Sequence, residues 1–149
     1  MKIAAAADHA GWKDKVWLVE RLKSLGHEVV DFGTDSEESC DYPDYAAKAA
    51  RAVAEGTCHK GVLVCGTGIG MAMAANKVKG IRAAACESVA AARYSRSHND
   101  ANVLCVASRF SSREVIREIV DVWLATDFEG GRHERRVAKI MALEGKQAC

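Results

Sequence analysis

Residues 62–77 constrain the fold more than any other part of this chain. Val62-Leu63-Val64-Cys65 is a short apolar run, Gly66-Thr67-Gly68-Ile69-Gly70 alternates glycine with larger residues, and Met71-Ala72-Met73-Ala74-Ala75-Asn76-Lys77 is rich in helix formers. That order predicts a buried strand, a tight glycine loop and a helix. Glycine lets backbone N–H groups converge at a helix start, where the helix dipole favours negative charge. Cys65 closes the strand, at the end where open α/β sheets bind ligands. A thiol beside an anion cradle can act as a base or nucleophile whose charged form the loop stabilises.

Strand and helix signals alternate along the rest of the chain with short connections. Ile3 to Ala7 reads as a first strand, and Trp12, Val16, Val19 and Leu22 form a helical stripe that stops at Gly26. Glu28 to Gly33 is a second strand, followed by a polar loop from Thr34 to Tyr42. Pro43, the only proline, suits the first turn of a helix running through Tyr45, Ala49 and Val53 to Gly56. After the helix from Gly70 to about Val78 come a strand over Ile81–Cys86 and a helix from Ser88 to about Ser97. Val103 to Ala107 is the fifth strand, and Ser111 or Ser112 caps a helix carrying Val115, Ile116, Ile119, Val120 and Trp123. A last helix covers roughly Arg132 to Glu144.

Alternation of this kind implies a doubly wound, Rossmann-like α/β fold: a parallel five-stranded sheet with helices on both faces. At 149 residues the chain is one domain over 1–149 with a substantial core. The final helix has no strand after it, and Gly130-Gly131 before it lets it swing outward, which favours an intimate homodimer with that helix reaching a partner subunit. A net charge of +1 gives no global field for nucleic acid, so an anion site must be local. No apolar run approaches signal-peptide or membrane-spanning length. The six cysteines form no CxxC pair and no zinc spacing, which fits a reducing, cytoplasmic setting. Cys86 and Cys105 read as small buried hydrophobes.

The glycine loop is neither a dinucleotide fingerprint, which needs G-x-G-x-x-G, nor a P-loop with its terminal Gly-Lys-Ser/Thr. Taken alone, three such glycines are more often a packing device than an anion hole. Two other segments carry chemistry. Arg96-Ser97-His98-Asn99-Asp100 places a histidine, the side chain suited to proton transfer near neutral pH, between a helix end and the fifth strand. In Gly130-Gly131-Arg132-His133-Glu134-Arg135-Arg136, Arg132 and Arg136 are four apart and share one helix face, so two guanidinium forks can meet a phosphate dianion.

The chain resembles the type B ribose-5-phosphate isomerases, in a sugar-phosphate isomerase family that also holds galactose-6-phosphate isomerase subunits. The resemblance runs nearly end to end. It rests on Asp8-His9, Asp41-Tyr42-Pro43, Cys65 to Gly70, Ala74-Ala75-Asn76-Lys77, Gly80-Ile81-Arg82-Ala83, Ser97 to Asn102 and Gly130-Gly131-Arg132-His133. It implies interconversion of ribose 5-phosphate and ribulose 5-phosphate through an enediolate, without metal or other cofactor. Cys65 then resembles the base that moves the proton between carbons 1 and 2. The backbone of Gly66, Thr67, Gly68, Ile69 and Gly70, with the Thr67 hydroxyl, would cradle the developing oxyanion, a device worth about 3 kcal/mol of barrier. His98 resembles the group that opens the furanose ring, and Asn99 would hydrogen-bond the sugar. Asp8 and His9 would contact substrate, with His9 near its phosphate end. Arg109, Arg132 and Arg136 would grip the phosphate.

The same resemblance implies a site shared between the subunits of a homodimer, or of a tetramer built from it, with no nucleic-acid or membrane partner. A second branch of the family carries a glutamate where this chain has Met71. Methionine cannot accept a proton, so the resemblance leaves Cys65 as the base. Six-carbon sugar phosphates of the allose 6-phosphate or galactose 6-phosphate type are the alternative substrates. A non-catalytic phosphate- or nucleotide-binding module and a thiol redox protein are the readings from other classes, and the missing CxxC weighs against the last.

Overall fold

The computed structural model describes residues 1–145; Cys149 lies outside them. Five parallel strands form one sheet: β1 Lys2–Ala7, β2 Glu28–Asp31, β3 Lys60–Cys65, β4 Ala83–Ala85 and β5 Val103–Ala107, in the order β2-β1-β3-β5-β4. The helices are α1 Trp12–Ser24, α2 Tyr42–Ala54, α3 Ile69–Ala75, α4 Val89–Ser97, α5 Arg113–Ala125 and α6 Arg132–Ala142, and α6 ends in a 3₁₀ turn over Leu143–Gly145. Side chains alternate across the strands and split the core in two. Ala4, Ala6, Leu63, Cys65 and Cys105 pack with α2 and α3, whereas Ile3, Val62, Val64, Leu104 and Val106 pack with α1, α4 and α5. The first layer is built largely of alanine, including Ala46, Ala49 and Ala50 of α2, which lets that helix approach the sheet closely.

Local chemistry sets the element ends. Ser88 Oγ accepts the Ala91 N–H at 3.2 Å and Ser112 Oγ accepts the Val115 N–H at 3.4 Å, so Ser112 rather than Ser111 caps α5. Pro43 occupies the first turn of α2. Strand β4 is shorter than the expected Ile81–Cys86; at its start the Arg82 N–H is taken by the Asn102 side chain at 2.8 Å.

Helix α1 corrects the sequence reading. Its buried face is Lys15, Leu18, Val19 and Leu22, while Val16 is 44% exposed and Trp12 only half-buried. Lys15 is 2% exposed, with Nζ 2.7 Å from both Asp31 carboxylate oxygens and 2.6 Å from the Thr34 carbonyl. A buried ammonium with three acceptors turns the helix onto a face that apolar spacing does not mark.

Strand order reverses between β1, which leads outward to β2, and β3, which leads the other way to β5. This is the topological switch point, and a crevice opens there outside the carboxyl ends of the strands. Helix α6 lies at the opposite end of the sheet. Its first turn meets the end of α4, where the Glu129 N–H donates to the Ser97 carbonyl at 3.0 Å. Its far end meets the start of β4, where Glu144 accepts the Gly80 N–H at 2.9 Å and Arg82 touches Met141 Sδ at 3.3 Å. Within this chain α6 touches the rest of the fold near its two ends, and of its own residues only His133 is buried. Among the described residues, no helix is long and apolar enough to cross a membrane.

Candidate active site

At the switch point, Asp8 and His9 follow β1, Cys65 ends β3, and Arg109 follows β5. They line a cleft of about 440 Å³ together with Gly66, Thr67, Ile69, Gly70, Tyr42 and Met73. Gly68 stands at φ +75, and a Cβ there would sit 3.2 Å from the Val106 carbonyl carbon, so both the turn and the close approach to β5 need glycine. The same turn aims the Gly68 N–H at Cys65 Sγ, 3.1 Å away. A thiolate accepts such a bond more strongly than a thiol does. Cys65 is 4% exposed, its sulfur held at the floor of the cleft.

Around the sulfur, most groups have a partner on one side and the cleft on the other. Asp8 Oδ1 accepts the Gly11 N–H at 2.9 Å, which fixes the carboxylate at the β1–α1 turn. His9 Nδ1 accepts the Cys40 N–H at 3.2 Å, so a neutral His9 carries its proton on Nε2. Thr67 Oγ1 accepts the Ile69 N–H at 3.3 Å, leaving the hydroxyl proton free to donate. Two of the five loop N–H groups expected to face an oxyanion, those of Gly68 and Ile69, therefore have acceptors within the loop. Gly66 runs under Arg109, where a Cβ would stand 3.2 Å from the guanidinium-bearing chain. Gly70 leaves room for the Tyr42 ring, which a Cβ would meet at 2.8 Å.

The structure does not bring His98, Asn99, Arg132 or Arg136 to this cleft. Because the sheet is parallel, the residues that precede β5 lie at its amino end. Cys65, in register with Ala107, lies at its carboxyl end. Four strand steps separate the two levels, about 13 Å. His98 caps the end of α4, and its neighbour Asn102 donates to the Arg82 carbonyl and accepts from the Gly61 N–H at the start of β3. Asn99 lines a different cavity, of about 510 Å³, between β4 and α6. Within one chain the predicted residues thus fall into two groups, a first half-site at the cleft and a second around His98.

The second half-site has a geometry of its own. His98 and His133 stack with ring centroids 4.2 Å apart and planes 8° from parallel. His133 is 5% exposed. Desolvation first, then the nearby His98, Arg132 and Arg136, hold its pKa below the ordinary histidine value, while Glu129 pulls the other way. Asp100, at φ +47, accepts from Arg82 at 3.0 Å and from Arg96 at 2.7 Å and fixes the turn that carries His98 and Asn99. His133 and Glu129 are contributions that the sequence reading missed, although their four-residue spacing was a signal. Burial pushes up the thiols of Cys58, Cys86 and Cys105, most strongly that of Cys105, in keeping with inert core positions.

Comparison with known proteins covers nearly the whole chain. The family described as Ribose/Galactose Isomerase matches residues 3–140. Ribose-5-phosphate isomerase B of Escherichia coli is 48% identical over 146 residues, covering 98% of each chain. Among solved structures, ribose-5-phosphate isomerase B of Clostridium thermocellum superposes with a TM-score of 0.98 at 49% identity, covering 99% of this chain and 100% of that one. The Mycoplasma genitalium enzyme, solved with bound ribulose-5-phosphate, has a TM-score of 0.94 at 43% identity and covers 98% of this chain and 97% of that one. With sequence, fold and residues 3–140 all in agreement, this chain belongs to the ribose/galactose isomerase family.

Proposed function

We propose that this chain interconverts ribose 5-phosphate and ribulose 5-phosphate through an enediolate, with Cys65 carrying the proton between carbons 1 and 2. The observation that carries this reading is the Cys65 sulfur, held by the Gly68 N–H at 3.1 Å on the floor of the switch-point cleft. A proton carrier must sit within reach of carbon, dry enough to be a strong base and supported in its charged form. The free Thr67 hydroxyl and the remaining loop N–H groups then face the oxygen on which charge develops. Asp8 holds a sugar hydroxyl, and His9 and Arg109 meet the phosphate.

His98, Asn99, Arg132 and Arg136 enter the reaction from a second copy of the chain. His98 gives and takes the proton at the ring oxygen, Asn99 holds the sugar, and the two arginines close on the phosphate. The two half-sites at opposite ends of the sheet support this, since neither is complete alone. An exposed apolar rim of Tyr42, Ile69 and Met73 at the cleft supports it too, because it gives a partner something to cover. The working form is accordingly a homodimer. Its setting is the reducing cytoplasm, where the described cysteines stay free.

Incubation of the purified protein with ribose 5-phosphate and, separately, with allose 6-phosphate, followed by a ketose assay, tests the reading. Faster turnover of the pentose is expected. Turnover of the hexose alone would replace the substrate, and turnover of neither would remove the function.

A further inference from the structure

Between the end of α4 and the first turn of α6, two imidazole nitrogens and a carboxylate oxygen converge. The ligand atoms of His98, Glu129 and His133 all lie within 4.8 Å of one another. Glu129 Oε2 stands 3.8 Å from His98 Nε2 and 3.9 Å from His133 Nε2, too far for hydrogen bonds. A tetrahedral zinc ion, bound at about 2.0–2.1 Å, would set its ligand atoms about 3.4 Å apart. The Glu129–histidine separations exceed that by only about half an ångström. Glu129 is 58% exposed and can close the gap by side-chain rotation, while His98, 32% exposed, must turn out of its parallel stack on His133 so that both ring lone pairs meet at one point.

We propose that His98, Glu129 and His133 form a binding site for a divalent transition-metal ion of the zinc class, and that its occupancy blocks the isomerase. Two imidazoles and one carboxylate suit zinc, nickel or copper rather than magnesium or calcium, which favour all-oxygen sites. Three protein ligands leave a fourth position open to water, the pattern of an exchangeable rather than a buried structural ion.

The backbone under each donor is held, and one bond, from Glu129 to Ser97, joins the two segments. The His98 N–H donates to the Tyr94 carbonyl at 2.9 Å, the Glu129 N–H to the Ser97 carbonyl at 3.0 Å and the His133 N–H to the Gly130 carbonyl at 3.0 Å. Arg132 Nε–H points at His133 Nε2 from 3.4 Å, which leaves the lone pair on the nitrogen nearest Glu129. A metal has only this long contact to displace. Arg132 and Arg136 oppose any cation here, so affinity must come from the nitrogen donors, and magnesium is excluded as an occupant. The blocking half of the proposal rests on His98 as the ring-opening group: a coordinated imidazole has no lone pair with which to move a proton.

Cobalt(II) added to chelator-treated full-length protein tests the site, with zinc as competitor and with Glu129→Gln and His133→Asn as variants. One cobalt per chain is expected, with visible bands and without the intense near-ultraviolet band of thiolate ligation. Affinity should fall at least about tenfold in each variant, with circular dichroism unchanged. Zinc should inhibit the wild-type isomerase and chelator should restore it, while Glu129→Gln, measured against its own metal-free rate, should resist zinc about tenfold better. A thiolate band, equal affinity in both variants or no stoichiometric uptake overturns the site. Specific uptake that leaves ribose 5-phosphate turnover untouched overturns the blocking half and removes His98 from ring opening, while the metal site stands.

Discussion

The Gly68 N–H donates to Cys65 Sγ at 3.1 Å, so the glycine loop and the thiol form one unit. The left-handed turn at Gly68 aims that donor, and the close passage over Val106 keeps it aimed. A loop that reads in the sequence as a cradle for a ligand anion thus holds the protein's own sulfur first. The oxyanion of the reaction is left to the neighbouring groups of the loop.

Replacing Cys65 by alanine removes the proton carrier but little of the core. A positioned general base typically contributes 10²- to 10⁴-fold, so kcat should fall by about 10³-fold with circular dichroism and thermal stability near wild type. Cys65→Ser should also be poor, since a hydroxyl is far harder to deprotonate. A ketose assay decides, and an alanine variant that keeps a tenth of the wild-type rate would remove Cys65 as the base.

Gly68→Ala forces a side chain into the left-handed region and against the β5 backbone. That strain costs about 1–3 kcal/mol, and for a chain of this size each kcal/mol lowers Tm by about 2–4 °C. Activity should drop further than stability, because the donor to Cys65 moves with the turn. Calorimetry together with steady-state kinetics at a temperature where the variant is folded separates the two effects. An unchanged Tm would mean that the turn tolerates a Cβ.

The strand-loop-helix unit around Cys65 was legible because its signals are local: apolar run, glycines, helix formers. The whole strand and helix order was legible for the same reason. The buried face of α1 was not, since Lys15 is held inside by Asp31 and Thr34, partners 16 and 19 residues away that periodicity cannot see. Separation of His98 from Cys65 follows from topology rather than composition. In a parallel sheet a residue just before a strand and one just after another strand lie at opposite ends, so the order of elements already held that answer. The Glu129–His133 pair lay hidden behind the arginines on either side of His133.

His133 links the second half-site to pH. Its folded pKa lies below the ordinary value of 6.5, so folding favours the neutral ring. The sign follows: this contribution to stability is fully present above about pH 6.5 and is lost as pH falls through that value toward the folded pKa. Thermal melts between about pH 5 and 8 should show wild-type Tm falling on the acid side, and His133→Asn should flatten that slope. Identical slopes in the two proteins would show that His133 is not held neutral by the fold.

Two chains, each defective in a different half-site, should repair one another. A dimer formed from Cys65→Ala and His98→Asn chains has one site with both substitutions and one with neither. Random exchange makes half of the dimers mixed, and half of their sites intact, so an equimolar mixture should recover about a quarter of wild-type activity from two poor parents. Recovery requires that Cys65 of one copy work with His98 of another. If each chain instead closed its own site across the sheet, every site in the mixture would carry one defect and the mixture would only average its parents. Activity measured after subunit exchange, against the same proteins kept apart, distinguishes the two, and an averaged value would remove the shared site.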